Sequence, residues 1–224
     1  MKKILLLVAL VLVVSLSAQA DIQITEWMYK SPKLGNGKEA EFIELTNMGS
    51  VAIDMTGWSF SDDAQIPGTF DLSGFGIVQV GESVIITENT VELFRAEWGL
   101  SESVKVLGGL TKNIGRSDQI NIYNSSSELV DKLIYNDQAG QGPRTENKSC
   151  TIPVADLGLQ TASSSWVLAS VGDVYGSWIS GTGAIANPGY YYEAPEVVPE
   201  PAGLLALGSG ILGIVGFARR RLYR

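Results

Sequence analysis

Short apolar runs, separated by turn-forming residues, fill the central part of this 224-residue chain. In EFIELTN at residues 41–47, Ile43 and Leu45 fall on one face of a strand, and the residues between them fall on the other. Similar runs recur with glycine, proline or asparagine between them. This pattern predicts an all-β fold, a β-sandwich of two antiparallel sheets built from eight or nine short strands.

The runs also place the individual elements. A short helix is predicted between Thr90, an N-cap residue, and Gly99, which can end it. Seven residues are predicted to share one buried core: Ile43, Leu45, Trp58, Val84, Ile86, Ile120 and Ile122. Strands are predicted within residues 22–28, 41–47, 51–54, 58–60, 69–72, 83–87, 104–107, 119–123 and 129–135, with weaker closing strands at 149–152 and 166–168.

The N-terminus has the three parts of a signal peptide. Lys2 and Lys3 precede an apolar run at residues 4–16, and Ala18 and Ala20 form a small-x-small cleavage site. We therefore expect signal peptidase to remove residues 1–20, so that the mature chain begins at Asp21. An aspartate at that position, rather than a cysteine, argues against a lipoprotein anchor.

A second apolar run, at residues 202–218, is long enough to predict a transmembrane helix. Three arginines that mark a cytoplasmic end follow it: Arg219, Arg220 and Arg221. The tripeptide Pro199-Glu200-Pro201 precedes it. Together these features resemble the PEP-CTERM sorting signal of Gram-negative bacteria, which implies processing near the tripeptide by an exosortase, a membrane-embedded cysteine transpeptidase-like enzyme. The alternative is a plain membrane anchor.

Charge and composition exclude several classes of function. Residues 21–201 hold all 24 acidic residues but only 10 of the 16 basic ones, a net charge of −14. Such a surface repels nucleic-acid phosphates, so we expect no nucleic-acid partner. The chain has no histidine, which excludes Ser-His-Asp or Cys-His catalysis and His-ligated zinc within this chain.

Asp54, Asp62 and Asp63 are weak candidates for Ca²⁺, which prefers six to eight hard oxygen ligands. Their spacing fits no EF-hand, and aspartate is also common in turns because it bonds the nearby backbone. No other cofactor is expected.

Glu41 and Glu44 are the candidates considered for the two catalytic carboxylates of a glycosidase. On a strand they point to opposite faces, which argues against joint catalysis at one bond, and Glu44 is expected to bond a neighbouring loop or face solvent.

Cys150, the single cysteine, is expected to be buried, with intermolecular pairing as the alternative. Trp178 and the tyrosines at 190–192 are surface candidates for sugar stacking.

The strand segments also carry a family resemblance. ITEWMY (24–29), EFIELTN (41–47), IDMTGWSFSDD (53–63), GESVIIT (81–87) and DQINIYNSSSELVDKLIY (118–135) resemble the lamin tail domain in order. The resemblance covers roughly residues 21–189 and implies an immunoglobulin-like β-sandwich. Bacterial members are exported, often beside hydrolases or adhesins, but no catalytic module accompanies the domain here.

We therefore expect four segments: a signal peptide at 1–20, the lamin-tail-like domain at 21–190, a linker at 191–198 and the sorting signal at 199–224. The expected protein is a non-enzymatic structural or binding module, anchored in the inner membrane as a precursor and then placed at the cell surface or outside the cell. Exopolysaccharide or a surface protein is the expected partner. A carbohydrate- or Ca²⁺-dependent adhesion module is the alternative, and a carboxylate-based hydrolase comes third.

Overall fold

The computed structural model describes residues 22–191, so the predicted signal peptide, the sorting signal and all but the first residue of the linker lie outside the described residues. The described part is mostly β, with one α-helix, α1 at Val91–Trp98. In chain order the strands are β1 Ile22–Met28, β2 Phe42–Asn47, β3 Ile53–Asp54, β4 Ser59–Ser61, β5 Phe70–Asp71, β6 Ile77–Val78, β7 Ser83–Thr87, β8 Lys105–Leu107, β9 Ser117–Tyr123, β10 Leu129–Asn136, β11 Cys150–Thr151, β12 Val167–Leu168, β13 Trp178–Ile179 and β14 Ile185–Ala186.

Two sheets form the body of the fold. The larger has the order β12-β11-β1-β2-β7-β8, and the smaller has the order β10-β9-β4-β5. The strand pairs β3–β6 and β13–β14 form two further small ribbons. The prediction of purely antiparallel sheets is wrong at one place, because β8 runs parallel to β7. Between these two strands the chain passes through α1, and such a crossover returns the chain in the same direction.

The core lies between the two sheets and confirms most of the predicted set. Six of the seven predicted core residues are fully buried: Ile43, Leu45, Val84, Ile86, Ile120 and Ile122. Trp58 is the exception, because it precedes β4 and packs only partly buried against the core. Trp27 of β1 and Tyr135 of β10 stack with ring centroids 4.0 Å apart, which joins the larger sheet to the edge strand of the smaller one. Cys150 is buried in this core as a free thiol.

A β-bulge in β1 changes which side chains face the core. Strand pairing with β2 shifts between Ile24 and Glu26. Ile24 contributes to the core before the bulge and Trp27 after it, so the inward phase moves from even to odd positions. As a result Glu26 is on the opposite, outer face of the sheet.

The outer face of the larger sheet is also covered. Phe94 and Trp98 of α1 pack with Phe42 and Ile85 in a second apolar cluster. As predicted, Thr90 is the N-cap of α1, and its side chain accepts a hydrogen bond from Leu93 N. The helix ends at Gly99, which adopts the left-handed conformation.

The ribbon β13–β14 completes this cover. Trp178 packs edge-on against Trp98 with centroids 6.0 Å apart, and its Nε1 donates to the Trp98 carbonyl at 3.2 Å. Trp178 is thus partly buried, and its role as a sugar-stacking side chain stays a prediction. Within residues 22–191, α1 is too short to cross a membrane, and no other helix there is long and apolar enough.

Candidate functional site

Two glutamates face each other on the outer face of the larger sheet. Glu26 of β1 is paired in register with Glu44 of β2, and both residues are fully buried. Glu26 lies on the outer face because of the bulge in β1. Glu44 lies there because successive side chains of the regular strand β2 point to opposite faces. The result is a buried carboxylate pair, which is unusual because burial strongly disfavours a charged side chain without a cation beside it.

Glu44 has hydrogen-bond donors on both oxygens. Its Oε1 accepts from Thr25 Oγ1 at 3.0 Å and from Ser83 Oγ at 3.1 Å. Its Oε2 accepts from the backbone N–H of Gly189 at 2.6 Å. Three donors stabilise the ionised form of this carboxylate.

Glu26 is satisfied on one oxygen only. Its Oε1 accepts from Ser149 Oγ and, at 2.9 Å, from the backbone N–H of Asn187. Among the residues that the structure describes, its Oε2 is buried without a hydrogen-bond partner. An oxygen in this position is best accommodated as a protonated O–H, because a bare negative charge there would be neither solvated nor paired.

The surroundings raise the pKa of both carboxyls. Burial is the largest cause for each, and it raises the pKa of Glu44 to about 7 against the lowering effect of four hydrogen bonds, from Gly189, Thr25, Ser83 and Tyr190. The pKa of Glu26 is raised well above its usual value by burial, by the negative charge of Glu44 and by that of Asp173. The geometry therefore favours one proton on the pair, held by Glu26.

Residues 187–191, which we call the C-terminal strap, cover this pair. Besides the two backbone N–H bonds to the carboxylates, Asn187 accepts from Thr151 Oγ1 at 3.1 Å and donates to the Tyr190 carbonyl at 2.9 Å. Tyr191 donates from its N–H to Ser83 Oγ at 3.2 Å and from its hydroxyl to the Ile152 carbonyl at 2.7 Å. The pair thus holds the last described segment of the chain on the sheet.

The Glu41 and Glu44 side chains lie in different environments. Glu41, immediately before β2, accepts from the backbone N–H of Ile114 at 3.2 Å. Burial and the charge of Glu88 raise the pKa of Glu41 to about 9. Two placements were predicted for Glu44, a hydrogen bond to a neighbouring loop or exposure to solvent. The first is confirmed, because Glu44 accepts from the loop that contains Gly189, and the second is wrong, because the side chain is buried. Both carboxyls are buried and accept hydrogen bonds from the chain itself. They can therefore bind a proton or anchor a backbone segment, but they are not accessible to a substrate in this structure.

The three Ca²⁺ candidates have local partners where the structure places them. Asp54 accepts from Thr56 N at 3.0 Å and from Thr56 Oγ1 at 2.7 Å, and these bonds lower its pKa. Asp62 accepts from Ala64 N at 3.1 Å, so both residues shape turns. Across residues 22–191, no three acidic or cysteine side chains converge in a way that could hold a metal ion.

Asp63 lines a shallow polar groove of about 190 Å³, together with Asp118, Gln119 and Gln141. Partial burial raises the pKa of Asp118, and the charges of Asp63 and Asp62 raise it further. The groove is rich in hydrogen-bond acceptors, which suits a polar ligand that carries donors.

Comparison with known proteins agrees with this architecture. The sheets and the single short helix define an immunoglobulin-like β-sandwich protein, and the sequence model of the lamin tail domain matches residues 15–137, more than half of the chain. The protein belongs to the lamin tail domain family. No curated protein and no solved structure matched the chain. The match ends before β11, so the strap and the strands β11 to β14 lie beyond the family segment.

Sequence reasoning missed the partner of Glu44 in this site. Glu26 stands in ITEW, where the apolar positions change phase from Ile24 to Trp27. That change of phase is the signal of a bulge, and a bulge turns the extra residue away from the core. Asn187 and Gly189 gave no comparable signal, because they contribute backbone N–H groups rather than side-chain chemistry.

Proposed function

We propose that this protein is an exported, non-enzymatic structural or binding module of the bacterial cell surface or extracellular matrix. The observation that carries the proposal is a lamin tail domain whose buried glutamates bind its own chain. Glu26 and Glu44 hold the strap, and Glu41 holds Ile114. A domain that uses these acids for its own architecture is suited to display and to lasting contacts rather than to turnover.

The two ends of the sequence support export and sorting. Residues 1–20 have the layout of a signal peptide, and Pro199-Glu200-Pro201 with the apolar run 202–218 has the layout of an exosortase substrate. In this proposal the precursor is anchored in the inner membrane with Arg219 to Arg221 on the cytoplasmic side. An exosortase then processes it near the tripeptide.

The sorting proposal is tested with Glu200→Ala in a host that has an exosortase. The variant is expected to remain in the inner membrane at full length, whereas the wild type is processed. Glu196→Ala is the matched control, because it removes an equal charge four residues earlier without touching the tripeptide. Equal retention of all three proteins at full length would contradict sorting and leave a plain anchor.

The second candidate function is adhesion to a carbohydrate or, with Ca²⁺, to a surface ligand. The groove beside Asp63 and Gln119 favours it, because its acceptors match hydroxyl donors of a saccharide. The test is retention of the exported protein on exopolysaccharide from the producing cell, with and without Ca²⁺. Retention that Asp63→Asn with Gln119→Ala abolishes favours adhesion, and equal retention of the variant argues against this groove.

A carboxylate-based hydrolase is the third possibility and has a direct test. Assays of the purified protein on polysaccharides and phosphoesters are expected to show no turnover. Turnover that disappears in Glu41→Gln or Glu44→Gln would contradict the non-enzymatic proposal.

A further inference from the structure

The cover over the Glu26–Glu44 pair has the form of a closing element. The strap lies across two carboxyls that sit opposite each other on adjacent strands, and it donates the backbone N–H of Asn187 to Glu26 and that of Gly189 to Glu44. Glu26 Oε2, beneath this cover, has no partner within residues 22–191. In that part of the chain, neither carboxyl forms an ion pair with lysine or arginine.

Every titratable group that faces the pair is acidic. Glu26 comes from β1 and Glu44 from β2, while the Cys150 thiol of β11 lies on the opposite, core face of the sheet, where burial and the charge of Glu26 raise its pKa. The turn that precedes Tyr175 contributes Asp173. The strap itself carries Tyr190 and Tyr191, and β7 contributes only the neutral Ser83. No neighbour of the pair can therefore compensate a second negative charge.

We propose that the C-terminal strap is a proton-controlled latch, closed while the Glu26–Glu44 pair holds one proton and released when the pair loses it. The proton belongs on Glu26 Oε2, the oxygen without a donor. When it leaves, two negative charges face each other in a space that water enters only if the strap lifts. Lifting the strap hydrates both carboxylates and relieves this cost.

Linkage gives the direction and size of the effect. The closed form binds the proton more tightly than the open form, so rising pH favours opening. Over the range in which only the closed form keeps the proton, the ratio of open to closed molecules rises about tenfold per pH unit. Acidic conditions keep the strap closed.

Opening has a consequence for the segment that follows, and this consequence rests on the proposed sorting function. The strap is five residues long and ends at Tyr191, eight residues before Pro199. Its release adds about 17 Å of extended chain between the domain and the tripeptide, at about 3.4 Å per residue. The latch would thus control how far Pro199-Glu200-Pro201 reaches from the folded domain.

The latch itself is tested without any processing enzyme, by amide hydrogen exchange of the full-length chain between pH 5 and pH 10. Glu26→Gln is the comparison, because its amide has the shape of a protonated carboxyl and does not ionise. Dividing wild-type rates by variant rates at each pH removes the intrinsic pH dependence of exchange. Amides of β9 and β10 serve as an internal reference.

The expected rate ratio at Asn187 and Gly189 is near one at pH 5, rises up to tenfold per pH unit while only the closed form keeps the proton, and levels off above that range, while the reference amides keep a constant ratio. A constant ratio at Asn187 and Gly189 across the range would overturn the latch. If Glu26→Gln fails to fold, Asp173→Asn replaces it. Removal of that charge lowers the pKa of Glu26 under the closed strap, so the rise of exchange with pH should level off at a lower pH than in the wild type, and an unchanged profile would also overturn the proposal.

Discussion

The carboxylate of Asp131 on β10 accepts a hydrogen bond from the backbone N–H of Ile24 on β1 at 2.8 Å. Both residues stand at β-bulges, where strand pairing skips a position on each sheet. The bulge in β1 frees an N–H that β2 does not use, and the bulge in β10 directs a carboxylate toward it. The two sheets are therefore joined by a polar bond as well as by their apolar core.

This bond predicts a difference between two substitutions of Asp131. Asp131→Ala should lower the free energy of unfolding by about 1–3 kcal/mol, because it leaves the Ile24 N–H buried without a partner. Asp131→Asn keeps an acceptor oxygen and should cost less. Urea unfolding at pH 4 measures both, and equal losses would contradict the role of the hydrogen bond.

The same residue predicts a pH dependence. Burial raises the pKa of Asp131 to about 6, above the value of about 3.9 expected in the unfolded chain. The folded state therefore holds the proton more tightly, so this contribution is fully present below pH 4 and is lost as pH rises toward 6. The slope is about 1.4 kcal/mol per pH unit at most. Asp131→Asn should flatten the dependence of the free energy of unfolding on pH in this range. An unchanged slope would show that other carboxyls cause that dependence.

The stack of Trp27 on Tyr135 predicts another pair of outcomes. Trp27→Ala should lower the free energy of unfolding by about 3–5 kcal/mol, since it opens a cavity where the sheets meet. Tyr135→Phe keeps the ring, and in the described part of the chain the Tyr135 hydroxyl is buried without a hydrogen-bond partner. This second variant should be neutral or stabilising in thermal unfolding. A loss above about 1 kcal/mol would show that the hydroxyl has a partner.

Close packing of the strap predicts the effect of substituting Gly189. A Cβ at this position would lie 2.8 Å from Val104 Cγ1, and the backbone has a φ of +90°. Gly183 is the matched control, because its φ of +93° imposes similar strain but a Cβ there meets nothing within 4 Å. Gly189→Ala should cost about 1–3 kcal/mol more than Gly183→Ala, the usual range for overpacking. Equal costs in chemical denaturation would show that the strap gives way freely.

The sequence predicted the elements whose signal is local. Strands such as β2 and β7 carry enough alternating or apolar residues to show their faces, and α1 has both a cap and a stop. Each predicted strand segment overlaps a strand. The two-residue strands β6, β13 and β14 were not predicted, whereas the equally short β3, β5, β11 and β12 fall within predicted apolar runs.

Long-range relationships explain the other differences. The parallel pairing of β8 depends on the path through α1, and no pattern within three residues of strand reveals direction. The burial of Glu44 depends on a strap that lies 145 positions away in the chain. A polar residue on an alternating strand normally faces solvent, so only the tertiary cover distinguishes this glutamate from an exposed one.

The most direct test of the proposed export and sorting is the intact mass of the protein recovered outside the producing cell. We expect a single chain that begins at Asp21 and ends near Pro199-Glu200-Pro201, without the apolar run 202–218 and the arginines after it. A folded product that begins at Met1 and ends at Arg224, confined to the cytoplasm, would contradict it.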